Sequence, residues 1–138
     1  MILDSSAIAR ILLTRKGDAL RLLGDGCSLD LARYEIGNVL WKEVALFGSM
    51  TGEEAASNIV YVARIMEEMR VLSLGTPDEA LGAMELAVEH GLTYYDAAYV
   101  YHAREMPPLV TEDRQLIKKA VSAGVEAITV EELDEARD

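Results

Sequence analysis

"MILDSSAIARIL" (residues 1–12) starts as three apolar residues, meets an acid at Asp4, and then repeats apolar side chains at helical spacing. The change from an unbroken run to a period near 3.6 reads as a short buried strand, "MIL", feeding a helix, "SSAIARILLTR". Ala7, Ile8, Ile11 and Leu12 make the stripe of that helix, with Ser5 or Ser6 as the expected N-cap. A strand that passes directly into a helix is the unit of α/β domains, because parallel strands need a crossover between them.

The unit recurs along the chain. "DALRLLG" (18–24) reads as a short helix ending at Gly24, and "CSLDLA" (27–32) as a second strand. "RYEIGNVLWKEVALFG" (33–48) then places Ile36, Val39, Leu40, Val44 and Phe47 on one side of a helix that stops at Gly48. "TGEEAASNIVYVARIMEEM" (51–69) opens on a capping box, Thr51 with Glu54, and its apolar side includes Ile59, Val62, Ile65 and Met66. "RVLSL" (70–74) is the third strand. "TPDEALGAMELAVEHG" (76–91) has Thr76 at the N-cap, Pro77 at the first helical position, Glu79 completing a second capping box and Gly91 past the last turn. "YDAAYVYHAREM" (95–106) is helical, "PLVT" (108–111) a strand, "DRQLIKKAVSAG" (113–124) a helix and "VEAITV" (125–130) a strand. "EELDEARD" closes the chain as a polar turn or helix. The expectation is one three-layer α/β/α domain over residues 1–138 with a central, mainly parallel sheet.

Composition limits the function classes. A chain of 138 residues, 51% hydrophobic, suits a single core, since domains run to roughly 100 to 150 residues. The N-terminus does not resemble a signal peptide, and no apolar run approaches the roughly 18 residues of a membrane span, so a soluble cytoplasmic protein is expected. One cysteine, Cys27, cannot form an internal disulfide, and two histidines leave no Cys/His cluster for zinc. His90 and His102 read as helix-surface residues, and Cys27 as a small buried one. Thirteen basic residues against 24 acidic give a net charge of -11, which repels phosphate unless a cation or a local basic patch offsets the field.

The placement of the acids is more telling than their number. In an open parallel sheet, the C-terminal ends of strands and the N-termini of the following helices lie along one edge, where ligands bind. Asp4 ends the first strand, Asp113 follows "PLVT", Asp96 opens its helix, and Glu35 is expected in the first turn of its own. Singly, each is explained by capping or by the helix dipole. Together they repel one another unless cations bind, and hard ions such as Mg²⁺ or Mn²⁺ prefer oxygen ligands. One or two such ions can activate water for phosphodiester hydrolysis.

Four blocks in order resemble the PIN-domain ribonucleases, and most closely the VapC-type toxins of toxin–antitoxin pairs. "ILDSSA" (2–7) is similar to the family's N-terminal strand, Asp and Ser or Thr two residues later. "EIGNVL" (35–40) is similar to its E-x-x-N-x-L helix, "LTYYDAAYVYHA" (92–103) to L-T-x-Y-D-A-x-Y, and "LVTEDRQL" (109–116) to L-x-T-x-D-x-x-L. The resemblance implies that Asp4, Glu35, Asp96 and Asp113 form an acidic quartet that binds Mg²⁺ or Mn²⁺ and hydrolyses RNA. Ser6 and Thr111 match its polar supports. It also implies a homodimer and an antitoxin that inserts a basic side chain among the acids.

Asn38, one turn after Glu35, is placed to orient that carboxylate or a metal-bound water. The basic residues available to RNA are Arg10, Arg15, Lys16, Arg33, Lys42 and Arg114, with Arg114 beside Asp113 the preferred phosphate contact. Tyr94, Tyr95, Tyr99 and Tyr101 can stack on bases but read first as core or interface packing. Trp41 and Phe47 read as core or dimer contacts. A phosphotransferase of the haloacid-dehalogenase type would place a second Asp where this chain has Ser6, and no Gly-rich phosphate loop is present. The alternatives that remain are a catalytically inactive PIN module binding RNA or protein, and an RNA-processing nuclease outside a toxin–antitoxin pair. The intact quartet argues against the inactive module.

Overall fold

The computed structural model describes residues 1–15 and 17–138. Lys16, one of the basic residues considered for RNA, lies outside the described residues. The order of elements is β1 (Ile2–Leu3), α1 (Ser5–Thr14), α2 (Ala19–Gly24), β2 (Cys27–Leu29), α3 (Leu31–Ala45), α4 (Gly52–Glu68), β3 (Arg70–Leu72), α5 (Pro77–His90), α6 (Tyr94–Ala103), β4 (Leu109–Val110), α7 (Arg114–Ser122), β5 (Ala127–Ile128) and α8 (Val130–Arg137). Five strands lie side by side as β3-β2-β1-β4-β5, and every neighbouring pair is parallel.

The alternation of side chains along each strand makes the three layers. Leu3 and Val110 point to one face, where Ile8, Leu23, Ile36, Met66 and Leu133 bring in α1, α2, α3, α4 and α8. Ile2, Leu29 and Leu109 point to the other, against Leu86, Val100 and Leu116 from α5, α6 and α7. The central strand β1 is therefore closed on both faces, with Ile2 and Leu3 fully buried. Ser28 is equally buried and donates its hydroxyl to the Leu3 carbonyl at 2.7 Å, tying β2 to β1 beyond the ladder.

Several boundaries differ from the expected ones. The second strand ends at Leu29, because the Asp30 N–H makes the last bond to the neighbouring strand, to Leu72 O, and the Asp30 carbonyl already accepts from Arg33 N. The helix that carries Glu35 therefore starts at Leu31, and Glu35 sits in its second turn rather than its first. The N-cap of α1 is Asp4, not Ser5 or Ser6, since the extended backbone persists through residue 4 and its carboxylate accepts from Ala7 N. Thr51 and Glu54 form the expected capping box, whereas at α5 only the Thr76 half forms. An unforeseen capping box, Thr129 with Glu132, makes the C-terminal segment a helix.

Of the apolar row on α3, Ile36 alone is fully buried, while Val39 is half-exposed and Trp41 and Phe47 stand more than half in solvent, so neither is core. His102 is buried instead of lying on the surface, with Nε2 3.0 Å from Ser73 O, because α6 is covered on nearly every side. Cys27 is half-buried, with its thiol 3.8 Å from the Met106 sulfur. No helix among the described residues is long and apolar enough to cross a membrane.

Candidate active site

Asp4 is the last extended residue after β1 and caps α1. Its Oδ1 accepts from Ala7 N at 2.9 Å and from the Ser6 hydroxyl at 2.6 Å, and the residue is only 6% exposed. Asp113 plays the same part after β4: its Oδ1 accepts from Gln115 N and Leu116 N at the start of α7. The fully buried Thr111 accepts from Asp113 N at 3.1 Å, and its hydroxyl lies 3.3 Å from that of Ser6. Ser6 and Thr111 thus bridge the turns after β1 and β4, the adjacent central strands.

Asp96 stands in the first turn of α6, where its backbone N–H donates to the capping Thr93 hydroxyl. Glu35 reaches in from α3, and its Oε1 accepts from the Tyr99 hydroxyl at 2.6 Å. Tyr99 is fully buried, three residues after Asp96 on the same helix, so one helical turn supplies an acid and the hydroxyl that orients another. Tyr99 reads from the sequence as packing, although its spacing from Asp96 was the available signal for a role at the site.

The acids lie within reach of one another's charge. Burial raises the carboxyl of Asp4 above its ordinary range against the hydrogen bonds that oppose it, and the charge of Asp96 adds to the rise. Burial also raises Glu35, helped by Asp4 and Asp96 and opposed by the Tyr99 hydroxyl. Asp96 is raised by burial and by Asp113, with the Thr93 hydroxyl and Lys119 opposing. The Tyr99 hydroxyl is pushed far above its usual value by burial and by Glu35, so it remains a donor.

The donor chemistry fits a hard divalent cation. The site is all oxygen and anionic: Asp4, Glu35 and Asp113 each place one carboxylate oxygen in a hydrogen bond that fixes the side chain, and the Thr93 hydroxyl favours the charged carboxylate of Asp96. Among the described residues, however, no three His, Cys, Asp or Glu side chains form a ready-made ligand group. Asp4, Asp113 and Glu35 each commit one oxygen to the protein, which fixes the direction of each carboxylate at the edge of the sheet.

The remaining expected residues lie around this cluster. Asn38 is exposed, and no side-chain hydrogen bond to it is formed among the described residues. Arg114 is exposed at the first position of α7, the positive end of a helix dipole, which disfavours a cation there, while its charge adds to the Thr129 hydrogen bonds in favouring the ionised carboxyl of Glu132. Arg10 and Arg15 are drawn into ion pairs with Glu112 and Asp134. Arg33, Lys42 and Arg114 make none among the described residues. Tyr95 is 63% exposed next to Asp96, so it is not core.

A parallel sheet with carboxylates gathered at the C-terminal ends of its central strands defines an acid-based α/β domain of the PIN class. The PIN domain family matches residues 1–122, and the chain belongs to that family, as a VapC-type member. It is similar to Ribonuclease VapC3 of Pyrobaculum aerophilum, 36% identical over 126 residues, covering 86% of this chain and 93% of the relative. It is also similar to Exonuclease VapC9 of the same organism, 40% identical over 104 residues, 74% of this chain and 73% of that one. Among solved structures it superimposes on PAE2754 from Pyrobaculum aerophilum with a TM-score of 0.77 at 31% identity, covering 96% of this chain and 91% of the other.

Proposed function

We propose that the chain is a Mg²⁺- or Mn²⁺-dependent endoribonuclease of the VapC type, acting in the cytoplasm and neutralised by a cognate antitoxin. The observation that carries this reading is the placement of Asp4, Glu35, Asp96 and Asp113 at the C-terminal edge of the central strands, the first three at least partly buried and all within reach of one another's charge. A protein that holds acids together against their repulsion and their burial has a use for the negative field they make. A divalent cation bound by Asp4, Glu35, Asp96 and Asp113 would supply Lewis acidity and a nucleophilic water.

The chain's own residues do the positioning. Ser6 and Ala7 N–H lock one oxygen of Asp4, the α7 N-terminus locks one of Asp113, and Tyr99 locks one of Glu35, so the other oxygen of each is presented. Thr111 supports the turn that carries Asp113, and Asn38 serves Glu35 from the next turn of α3. Arg114 contacts substrate phosphate. Support for one domain over the whole length comes from Leu133 of α8, which packs in the same cluster as Leu3 of β1. The partners are RNA, a second copy of the chain and an antitoxin offering a basic side chain to the acids.

The relatives' names divide between a ribonuclease and an exonuclease, and the decisive test separates the two modes. The purified protein is incubated with total cellular RNA and Mn²⁺, with and without EDTA, and new ends are mapped. Internal cuts that EDTA abolishes are expected. Absence of any RNA cleavage with Mn²⁺, or cleavage that survives EDTA, would remove the proposal, and trimming from ends alone would replace the internal mode. A gene neighbour encoding a small basic or amphipathic protein that co-purifies and suppresses cleavage is expected of a toxin.

Tyr99→Phe gives a finer test. Loss of the hydroxyl leaves Glu35 without the donor that favours its ionised form, so its carboxyl moves further up. Activity is expected to fall about tenfold, the scale of losing an orienting partner. The acid limb of the pH–rate profile should move to higher pH, and an unmoved limb would separate Tyr99 from the chemistry.

A further inference from the structure

Glu112 lies between Thr111 and Asp113, and its carboxylate is engaged by other parts of the molecule. Its Oε1 accepts from Val130 N at 3.0 Å, and its Oε2 lies 4.0 Å from Arg10 Nε on α1. Val130 is the first residue of α8, and its N–H is one of those that a helix cannot satisfy internally. The other end of Glu112 is also fastened. Its backbone N–H donates to the Ser6 hydroxyl at 3.0 Å, and that hydroxyl donates onward to Asp4 Oδ1 at 2.6 Å.

The post to which Glu112 is tied does not depend on it. Val130 and Leu133 are buried in the cluster that contains α1, and ion pairs of Arg15 with Asp134 and Arg137 with Asp25 fix α8 to the surface of α1 and α2. The helix lies beyond residue 122, where the family match ends. We propose that Glu112 is a positioning residue that fastens the Thr111–Asp113 turn to the N-terminus of α8, so that this C-terminal helix sets the spacing of Asp4 and Asp113. The inference rests on the reading of those acids as a cation site, and its tests include one that needs no cation.

Four variants of the full chain decide it: Glu112→Ala, Glu112→Gln, Val130→Pro, and Glu112→Ala combined with Val130→Pro. Proline is welcome at the first helical position and removes the N–H, Thr129 before it is already extended, with ψ 169°, and because the buried valine side chain is replaced as well, Val130→Pro is judged on Mn²⁺ affinity and amide exchange and not on melting temperature. Calorimetric titration with Mn²⁺ reads affinity. Amide hydrogen exchange of the metal-free protein at Asp113, Gln115 and Leu116 reads the order of the turn.

Glu112→Ala is expected to weaken Mn²⁺ binding about tenfold and to speed exchange at those amides about fivefold, the factor of one ordinary hydrogen bond. Glu112→Gln keeps an acceptor for Val130 N and should restore both to within about twofold. Val130→Pro should match Glu112→Ala, and the double variant should be no worse than either, as two ends of one bond require. A melting temperature lowered with Mn²⁺ affinity unchanged, or effects that add in the double variant, would overturn the inference. If the wild type binds no Mn²⁺, the cation reading falls, and unchanged exchange in Glu112→Ala would then overturn the fastening as well.

Discussion

Asp96→Asn abolishes RNA cleavage and leaves the metal-free protein at least as stable as the wild type at neutral pH. The loss of rate should exceed the roughly 10- to 100-fold that follows when a merely supporting group is removed. The Thr93 hydroxyl bonds the Asp96 carboxylate and favours its charged form, and asparagine keeps an oxygen acceptor for that hydroxyl. Its folded-state carboxyl is raised by burial and by Asp113. A raised acid binds its proton more readily in the folded chain, so stability is lost as pH climbs from the unfolded value through the folded one. Asparagine removes that loss. The melting temperature of the variant should equal or exceed that of the wild type at pH 7, and the gap should close toward acid, where Asp96 is protonated in both states. Cleavage by Asp96→Asn at the wild-type rate would sink the catalytic reading.

Asp4→Ala loses activity to a similar degree but also loses stability, in contrast with Asp4→Asn. Asp4 is a cap as well as an acid of the site: its Oδ1 accepts from Ala7 N, in a fully buried residue, and from the Ser6 hydroxyl. Alanine leaves both donors unpaired at a cost of about 1 to 3 kcal/mol. Asparagine keeps an acceptor and is an equally good cap, so it should fold as firmly as the wild type while remaining inactive. Melting curves and cleavage assays on the two variants separate the roles. Equal stability of both would show that the cap contributes little, and activity in Asp4→Asn would remove Asp4 from the proposed chemistry.

The parallel sheet and its flanking helices could be read from alternating short apolar runs and helical periods, because each period reflects the face that must be buried. Strand ends were less legible. In "CSLDLA" the residues Leu31 and Ala32 are apolar whichever element they join, and what assigns them to α3 is the reach of β3, whose last bond falls at Asp30. The cap of α1 was misplaced for a related reason: serine is as good a cap as aspartate, and only the extended backbone at residue 4 decides between them. Core and dimer contact are equally open for Trp41 and Phe47 in the sequence, because hydrophobicity does not say whether a helix row has a neighbour, and their exposure removes the core alternative. His102 looked exposed because α6 is buried nearly all round, and a buried helix shows no polar face in its sequence.

The common edge on which Asp4, Asp96 and Asp113 stand was legible from topology, since strand ends and helix starts share it. What the sequence could not specify was how each carboxylate divides its two oxygens between the fold and the open site. Nor could it reveal Glu112, because its partner Val130 is remote in the chain and contributes only a backbone N–H.

The strands themselves carry a last consequence. The outer strands are three residues long in β3 and two in β5. A strand added from another chain would find only a few open backbone groups at either margin, too few to fix its register. The margins of the sheet are thus poor templates for β-augmentation, and the broad exposed surfaces of the molecule are helical.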